Sequence, residues 1–215
     1  INDSELAQTD WLPAVGLVYS ITPKMQLRLN YGETVARPSL RELAAYRSYD
    51  PNLDIELEGN PRLQMTSIQN YDLRWEWFFT GPDLVSVSVF YKTLELPIEQ
   101  AFISLDGSIL SWQNRETADV MGVEFEARKS LGFLNESLAD FSLGGNFSWI
   151  TSETELTDQE FAIKSQVVPG AEQTRPLSEQ SPYILNLDLS YDNARRGTTV
   201  SMVYNLTGPR LIIAS

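Results

Sequence analysis

Residues 183–191 of this 215-residue chain read Tyr183-Ile184-Leu185-Asn186-Leu187-Asp188-Leu189-Ser190-Tyr191. Tyrosine and leucine occupy every second position, and the intervening positions are mostly polar. Because successive side chains of a β-strand point to opposite faces, such a strand has one apolar face and one mostly polar face. The apolar face continues without a polar interruption over about ten residues, the length of a strand that crosses a bilayer. The segment therefore favours a strand with one face against lipid.

The same alternation recurs in seven other segments, which we also predict to be strands. In order, the eight predicted strands cover residues 14–21, 25–35, 68–79, 84–93, 118–130, 141–151, 182–191 and 198–207. Connections alternate between short turns, at Pro23, Gly81, 131–140 and 193–197, and long polar loops, at 36–67, 94–117 and 152–181. This alternation is typical of outer-membrane barrels, whose short turns lie on the periplasmic side. A soluble β-sandwich, with its apolar faces turned inward, would show the same periodicity and remains the alternative.

The composition limits the ligands and reactions that this chain could support. The formal net charge of −13 argues against binding nucleic acid, because few cations are present to replace phosphate counterions. Cysteine and histidine are both absent, so no nucleophile paired with histidine and no thiolate or imidazole metal site can be built from this sequence. We expect no metal and no cofactor. No apolar run approaches the roughly 20 residues that a membrane-spanning helix requires.

The long loops carry weaker structural signals. Residues 40–46 could form one or two helical turns, and Asp106-Gly107 between two apolar segments predicts a tight hairpin turn. The 152–181 loop is rich in acidic residues. We interpret it as a solvated, mobile connection, with divalent cations bridging lipopolysaccharide as the alternative.

Six short motifs along the chain resemble the C-terminal part of the barrel of TonB-dependent outer-membrane receptors. They lie at residues 29–43 (LNYGETVARPSLREL), 58–63 (EGNPRL), 68–73 (IQNYDL), 122–126 (GVEFE), 175–183 (RPLSEQSPY) and 204–210 (YNLTGPR). Each motif is short, but together they follow the order of the family over nearly the whole sequence.

The resemblance implies an all-β fold, an antiparallel up-and-down meander that forms part of a large, 22-stranded transmembrane barrel in the bacterial outer membrane. Residues 1–215 would supply eight strands and the start of a ninth at 210–213, without the plug domain and the last strands. The implied function is TonB-dependent uptake of a scarce nutrient such as an iron-siderophore, cobalamin or an oligosaccharide, not an enzymatic reaction. The implied partners are outer-membrane lipid and lipopolysaccharide, the protein's own plug, the TonB complex and a small-molecule or glycan cargo.

Candidate ligand-binding residues come from one loop and from the polar strand faces. The candidates are Arg37, Arg41, Tyr46, Arg47 and Tyr49 in the 36–67 loop, and Arg74 and Arg128 on the lumen side of the barrel. Guanidinium groups and aromatic rings suit anionic or planar ligands. Purely structural roles compete with this interpretation: Arg37 could brace the base of the loop, and the lumen arginines could pair with neighbouring acids.

Two other functions fit parts of the sequence. Eight strands can close a small barrel, which would act as a structural anchor or an adhesin. Glu124 and Glu126 share a strand face with Cα atoms about 6.6 Å apart, a spacing that invites comparison with glycosidase carboxylate pairs. Nothing else in the sequence supports a sugar-cleaving cleft, and we expect no covalent chemistry.

Overall fold

A computed structural model describes residues 9–51, 54–81, 83–104, 108–167 and 169–211. Thirteen strands are found among them. In chain order they are β1 (Ala14–Thr22), β2 (Met25–Ala36), β3 (Arg47–Asp50), β4 (Ile55–Glu58), β5 (Thr66–Phe78), β6 (Leu84–Glu95), β7 (Ile98–Phe102), β8 (Ile109–Asn114), β9 (Thr117–Ser130), β10 (Phe141–Glu155), β11 (Thr174–Arg175), β12 (Tyr183–Asn193) and β13 (Thr198–Thr207). Two α-helices, α1 (Leu40–Leu43) and α2 (Asp158–Val167), lie in the long loops. None of the helices described is both long enough and apolar enough to cross a membrane.

Eight strands form one antiparallel sheet in the order β1-β2-β5-β6-β9-β10-β12-β13, and the two-residue β11 is added to β10. These eight are the strands predicted from the sequence, with ends that differ by four residues or fewer. Short connections join the strands at one end of the sheet. Gly81 (φ 65°) and Gly197 (φ 62°) lie in two of these turns, at left-handed backbone angles that glycine adopts at little cost.

The register of the sheet collects the apolar side chains on one surface, here called the outer face. One row across it runs Leu27, Trp75, Val87, Phe125, Phe147 and Leu185, each opposite the next on the neighbouring strand. Leucines, aromatic residues and valines of this face are widely exposed, and within the described residues no second sheet packs on them. The sandwich alternative is therefore wrong, because the apolar face is left open as it would be toward lipid.

The opposite surface, the inner face, is polar and internally paired. Glu76 is 6% exposed and accepts hydrogen bonds from Gln26 (2.6 Å), Arg28 (2.7 Å) and Arg74 (2.9 Å). Arg74 also donates to Glu126 at 2.6 Å, so one network joins strands β2, β5 and β9. This surface has the character of a wet barrel lumen.

A second, four-stranded sheet lies in the long loops, in the order β3-β4-β8-β7. Strands β7 and β8 form the predicted hairpin, although its Asp106-Gly107 turn falls outside the described residues. Strands β3 and β4 were not predicted, and β4 pairs with β8 in parallel across loops that are distant in sequence. Leu43, Ile55, Leu63, Ala101 and Leu110 are buried in this loop layer, which holds most of the apolar core.

The eight-stranded sheet is an open arc. Strands β1 and β13 each pair with one neighbour in the described part of the chain, so these eight strands do not close a small barrel. The predicted start of a ninth strand at 210–213 is not assigned as strand at 210 and 211 and otherwise lies outside the described residues. The total of 22 strands and the domain bounds stay predictions.

Introducing one charged side chain can test whether the outer face contacts lipid. Leu187 lies midway along β12 and is 41% exposed. Leu187→Arg should destabilise the protein folded in lipid vesicles by about 2–4 kcal/mol, because an arginine at the bilayer midplane is poorly solvated. The measurement is a denaturant titration of the full-length protein in vesicles. Asp188→Arg, one position along on the inner face, is the matched control, and equal losses at both sites would contradict the face assignment.

Candidate functional site

A cavity of about 730 Å³ lies between the inner face of the sheet and the loop layer. The ends of β5 and β6 supply its wall through Thr66, Ile68 and Leu94. The loops supply the other sides through the 36–42 segment, β7 with Trp112 of β8, and residues 177–180. Its volume lies within the range usual for small-molecule sites. We take it as the candidate binding site.

Helix α1 places two of the predicted binding residues on this cavity. The helix begins in a capping box, in which the Ser39 hydroxyl accepts a hydrogen bond from the Glu42 amide and the Glu42 carboxylate accepts one from the Ser39 amide at 2.7 Å. Arg37 precedes the helix and Arg41 lies within it, and both line the cavity. The Arg41 guanidinium carbon lies 6.0 Å from the ring centre of Trp112, at the edge of cation–π range.

The other predicted loop residues do not line this cavity. Arg47 pairs with Glu58 at 2.9 Å and with Glu56 at 3.3 Å along the β3–β4 hairpin. The Tyr49 hydroxyl donates to Asp54 at 2.6 Å, and the exposed Tyr46 is likewise outside the cavity lining. Of the five candidates in this loop, the structure therefore brings Arg37 and Arg41 together at the cavity.

The two candidate lumen arginines lie elsewhere on the inner face. Arg74 is held within the network around Glu76 and Glu126. Arg128 is about half exposed, and its guanidinium is 3.8 Å from the carboxylate of Glu126. Their role in ligand binding stays a prediction. Arg37 also has a pairing contact, at 3.5 Å to Asp10, that suits the alternative role of bracing the loop base.

Four charged residues, Glu99, Arg115, Glu160 and Arg175, form what we call the loop ion cluster. Glu99 accepts hydrogen bonds from Arg115 (3.1 Å) and Arg175 (2.6 Å), and from the Ser178 amide (2.7 Å). Arg115 in turn donates to both oxygens of Glu160, at 2.7 and 2.8 Å. Only 3% of the Arg115 side chain and 4% of the Glu99 side chain are exposed. The cluster joins the β7–β8 hairpin to the 152–181 loop and holds residues 177–180 on the cavity.

The electrostatics of the cluster favour its ionised form. Burial raises the pKa of Glu99, but the hydrogen bonds from Arg175 and Ser178 and the charges of Arg175 and Arg115 outweigh it, so the pKa lies below its ordinary 4.5. Burial likewise raises the pKa of Glu160, and the bonds from Arg115 and Thr157 bring the net pKa below its ordinary value. The buried charges are thus compensated by one another.

Sequence reasoning missed Trp112 and the loop ion cluster. The 152–181 loop was interpreted as a mobile acidic connection, but it contains α2, and its Glu160 and Arg175 are bound in the cluster. The sequence carries one signal for the start of α2. Thr157 and Glu160 have capping-box spacing, and each side chain accepts a hydrogen bond from the amide of the other residue.

Removing one carboxylate should loosen the loop layer. Glu99→Gln leaves two buried guanidinium groups facing a neutral amide, and losing one member of a buried ion pair typically costs about 3–5 kcal/mol. Hydrogen exchange should show the loss as faster exchange at residues 98–102 and 174–178. Glu56→Gln removes an exposed partner of Arg47 and should cost about 1 kcal/mol or less. Unchanged exchange in Glu99→Gln would show that the cluster does not hold the loops.

Low pH should likewise loosen the loop layer of the unsubstituted protein. A carboxylate with a lowered pKa stabilises the fold above its unfolded pKa, and this stabilisation disappears as the pH falls through the folded value. Protection of residues 98–102 should stay constant from about pH 7 to pH 5 and decline below the ordinary Glu99 value of 4.5. Hydrogen exchange at stepped pH measures this. A decline already complete by about pH 6 would contradict the assignment to these two glutamates.

Comparisons with known proteins agree with this architecture. A family model described as "TonB dependent receptor-like, beta-barrel" matches residues 2–212. No curated protein sequence matches the chain. Similar solved structures include the siderophore receptor PirA of Pseudomonas aeruginosa (15% identity, TM-score 0.57, 93% of this chain and 31% of that one) and the ferric enterobactin receptor PfeA of the same organism with enterobactin (18%, 0.59, 93% and 28%). The alcaligin receptor FauA of Bordetella pertussis is also similar (14%, 0.53, 94% and 30%).

These structures share the fold of the chain, which spans about 30% of their length. All three are described as receptors. The family model covers almost the whole sequence, and the outward apolar face, the polar inner face and the short-turn end agree with it. The chain therefore belongs to the TonB-dependent receptor-like β-barrel family and is part of a bacterial outer-membrane protein.

Proposed function

We propose that this chain supplies wall and loops to an outer-membrane transporter that binds a ferric siderophore and takes it up with energy delivered through TonB. The observation that carries the proposal is the 730 Å³ cavity, where Arg37, Arg41 and Trp112 meet between the lumen wall and the loop layer. A cargo arriving from outside would be held there before the plug is rearranged.

The arginines of the cavity offer binding groups for an anionic cargo, although the chain as a whole is acidic. The Glu42 carboxylate is engaged by its own helix cap, and Glu99 is compensated by two arginines of the loop ion cluster. Glu42 and Glu179 remain charged carboxylates on the lining, and Arg37 lies 3.5 Å from Asp10, so an anion would be recognised by directed guanidinium contacts and not by a net positive charge. Guanidinium groups bind oxyanions through paired hydrogen bonds, and an indole ring offers a surface for a planar group. Siderophores with catecholate groups combine both features.

The solved structures support the same class of cargo. PirA is described as a siderophore receptor, and PfeA was solved with enterobactin. At 14–18% identity they are related to this chain by fold, so the cargo is argued from the cavity itself. Cobalamin and oligosaccharides are the competing cargoes.

The rest of the chain fits the other partners of such a transporter. In a closed barrel the network of Arg28, Arg74, Glu76 and Glu126 would face the plug, and its paired charges would offer hydrogen bonds without a strong net field. The outer face would contact lipid, and lipopolysaccharide at the end that carries the loop layer. Contact with the TonB complex would be made by parts of the protein beyond this sequence.

Substituting one cavity arginine tests the proposal. In the full-length protein, Arg41→Ala should weaken binding of a ferric catecholate siderophore about 10-fold or more, because a charge-assisted contact is worth about 1.5–3 kcal/mol. Quenching of tryptophan fluorescence during titration measures the affinity. Arg47→Ala is the matched control, since Arg47 is in the same loop but pairs with Glu56 and Glu58 away from the cavity.

The outcomes separate the candidate cargoes. If Arg41→Ala and Arg47→Ala bind the ferric catecholate siderophore with equal affinity, the cavity is not the binding site. Saturable binding of cobalamin or an oligosaccharide, with no binding of ferric catecholate or hydroxamate chelates, would contradict the siderophore assignment and keep the transporter class.

A further inference from the structure

The connection between β9 and β10 differs from the other short connections of the sheet. It begins with a 3₁₀ turn (Leu131–Phe133) and contains a second one (Glu136–Leu138). Asn135 caps the second turn through its side chain, and the Asp140 carbonyl accepts a hydrogen bond from Asp192, in the neighbouring strand, at 2.8 Å. The connection is therefore folded and held at the end of the sheet.

Two large apolar side chains protrude from this connection. Phe133 is 64% exposed and Leu134 is 65% exposed. The turns at residues 22–24 and 193–197 instead carry polar and basic residues, such as Lys24 and Arg195. Two adjacent apolar side chains exposed on a folded connection form the kind of patch that marks contact with a protein or a membrane.

The position of Phe133 indicates which partner this is. The Lys129 ammonium lies 5.4 Å from the ring centre of Phe133 and 5.4 Å from that of Phe79. Lys129 lies opposite Leu143 in the sheet register and shares its strand face with Phe125, so it is on the outer face. Phe79 stacks against Trp77, also on the outer face, with ring centres 4.4 Å apart. Phe133 therefore continues the lipid-facing surface beyond the end of the strands.

The amine of Lys129 is also fixed. It pairs with Asp83 at 2.5 Å, and Asp83 accepts a second hydrogen bond from the Ser130 amide at 2.8 Å. These bonds tie the end of β9 to the neighbouring turn and set the direction in which the connection leaves the sheet. The orientation of Phe133 toward the outer surface is thus built into the fold.

We infer that Phe133 and Leu134 insert into the periplasmic leaflet of the outer membrane, at the boundary between phospholipid headgroups and acyl chains. The connection then acts as a lipid anchor and not as a turn that lies wholly in the periplasm. An aromatic ring beside an amine suits this boundary, where apolar and polar surroundings meet. The inference requires membership of the outer-membrane family but not the identity of the cargo.

Spin labels can measure the depth of these side chains. Because this sequence contains no cysteine, single substitutions Phe133→Cys, Leu134→Cys and Ser137→Cys can be labelled in the full-length protein after any cysteine elsewhere is replaced. The protein is placed in nanodiscs of phosphatidylethanolamine and phosphatidylglycerol. Relaxation by oxygen reports exposure to acyl chains, and relaxation by a water-soluble nickel chelate reports exposure to water. Ser137 is the control, because it is exposed in the same connection but lies in its polar half.

The labels at Phe133 and Leu134 should show an oxygen-to-nickel ratio several-fold higher than the label at Ser137. Similar nickel accessibility at all three positions would overturn the inference, since it would place the connection in water. Low accessibility to both reagents at 133 and 134 would overturn it as well, because it would indicate a protein partner in place of lipid. If Phe133→Cys does not fold, the comparison of Leu134→Cys with Ser137→Cys is sufficient to test the inference.

Discussion

The structure depends on the pairing of backbone N–H and C=O groups between neighbouring strands. In hydrocarbon no water is available to these groups, so each must find its partner within the sheet. Antiparallel pairing between the eight strands of the main sheet satisfies this requirement across the arc, with one register shift between Ser20 and Thr22 in β1. Among the described residues β1 and β13 each pair with one neighbour, as expected for an arc of a larger barrel. An arc of this kind is stable as part of a closed barrel, since closure is what removes exposed edges.

The same register decides where each side chain goes. A slip of one residue would exchange the faces of a strand and place arginine and glutamate against lipid. Here Leu29, Leu73 and Val89 stay in one row on the outer face, while Arg28, Arg74 and Ser88 stay in the adjacent row on the inner face. The inner charges pair across strands, and this pairing makes a polar lumen compatible with a tightly packed wall. The family assignment rests on the family model that matches residues 2–212, and this separation of faces agrees with it.

The loop layer follows a different physical rule. It is outside the membrane, so its stability comes from a small apolar core around Leu43, Leu63 and Leu110 and from the buried loop ion cluster. A buried charge is tolerated beside opposite charges, and in this arrangement of the loops Glu99 contacts Arg115, Arg175 and the Ser178 amide. That arrangement forms the far side of the cavity. Cargo binding, as we propose it, and the order of the loops are therefore connected through Glu99 and Ser178.

The sequence by itself determined the eight wall strands, their faces, the turns and the family. The strands, faces and turns follow from period-two alternation and from local turn chemistry, which each segment carries independently of the others. The family follows from the resemblance of the six short motifs. The sequence also identified Arg37 and Arg41 as candidates, from residue type and loop position. Only the tertiary structure decided that Arg41 meets Trp112, that β4 pairs with β8, and that Glu99 binds Arg175 from 76 positions away. Contacts between distant loops depend on how the strands bring the loop ends together, and local sequence patterns do not predict this arrangement.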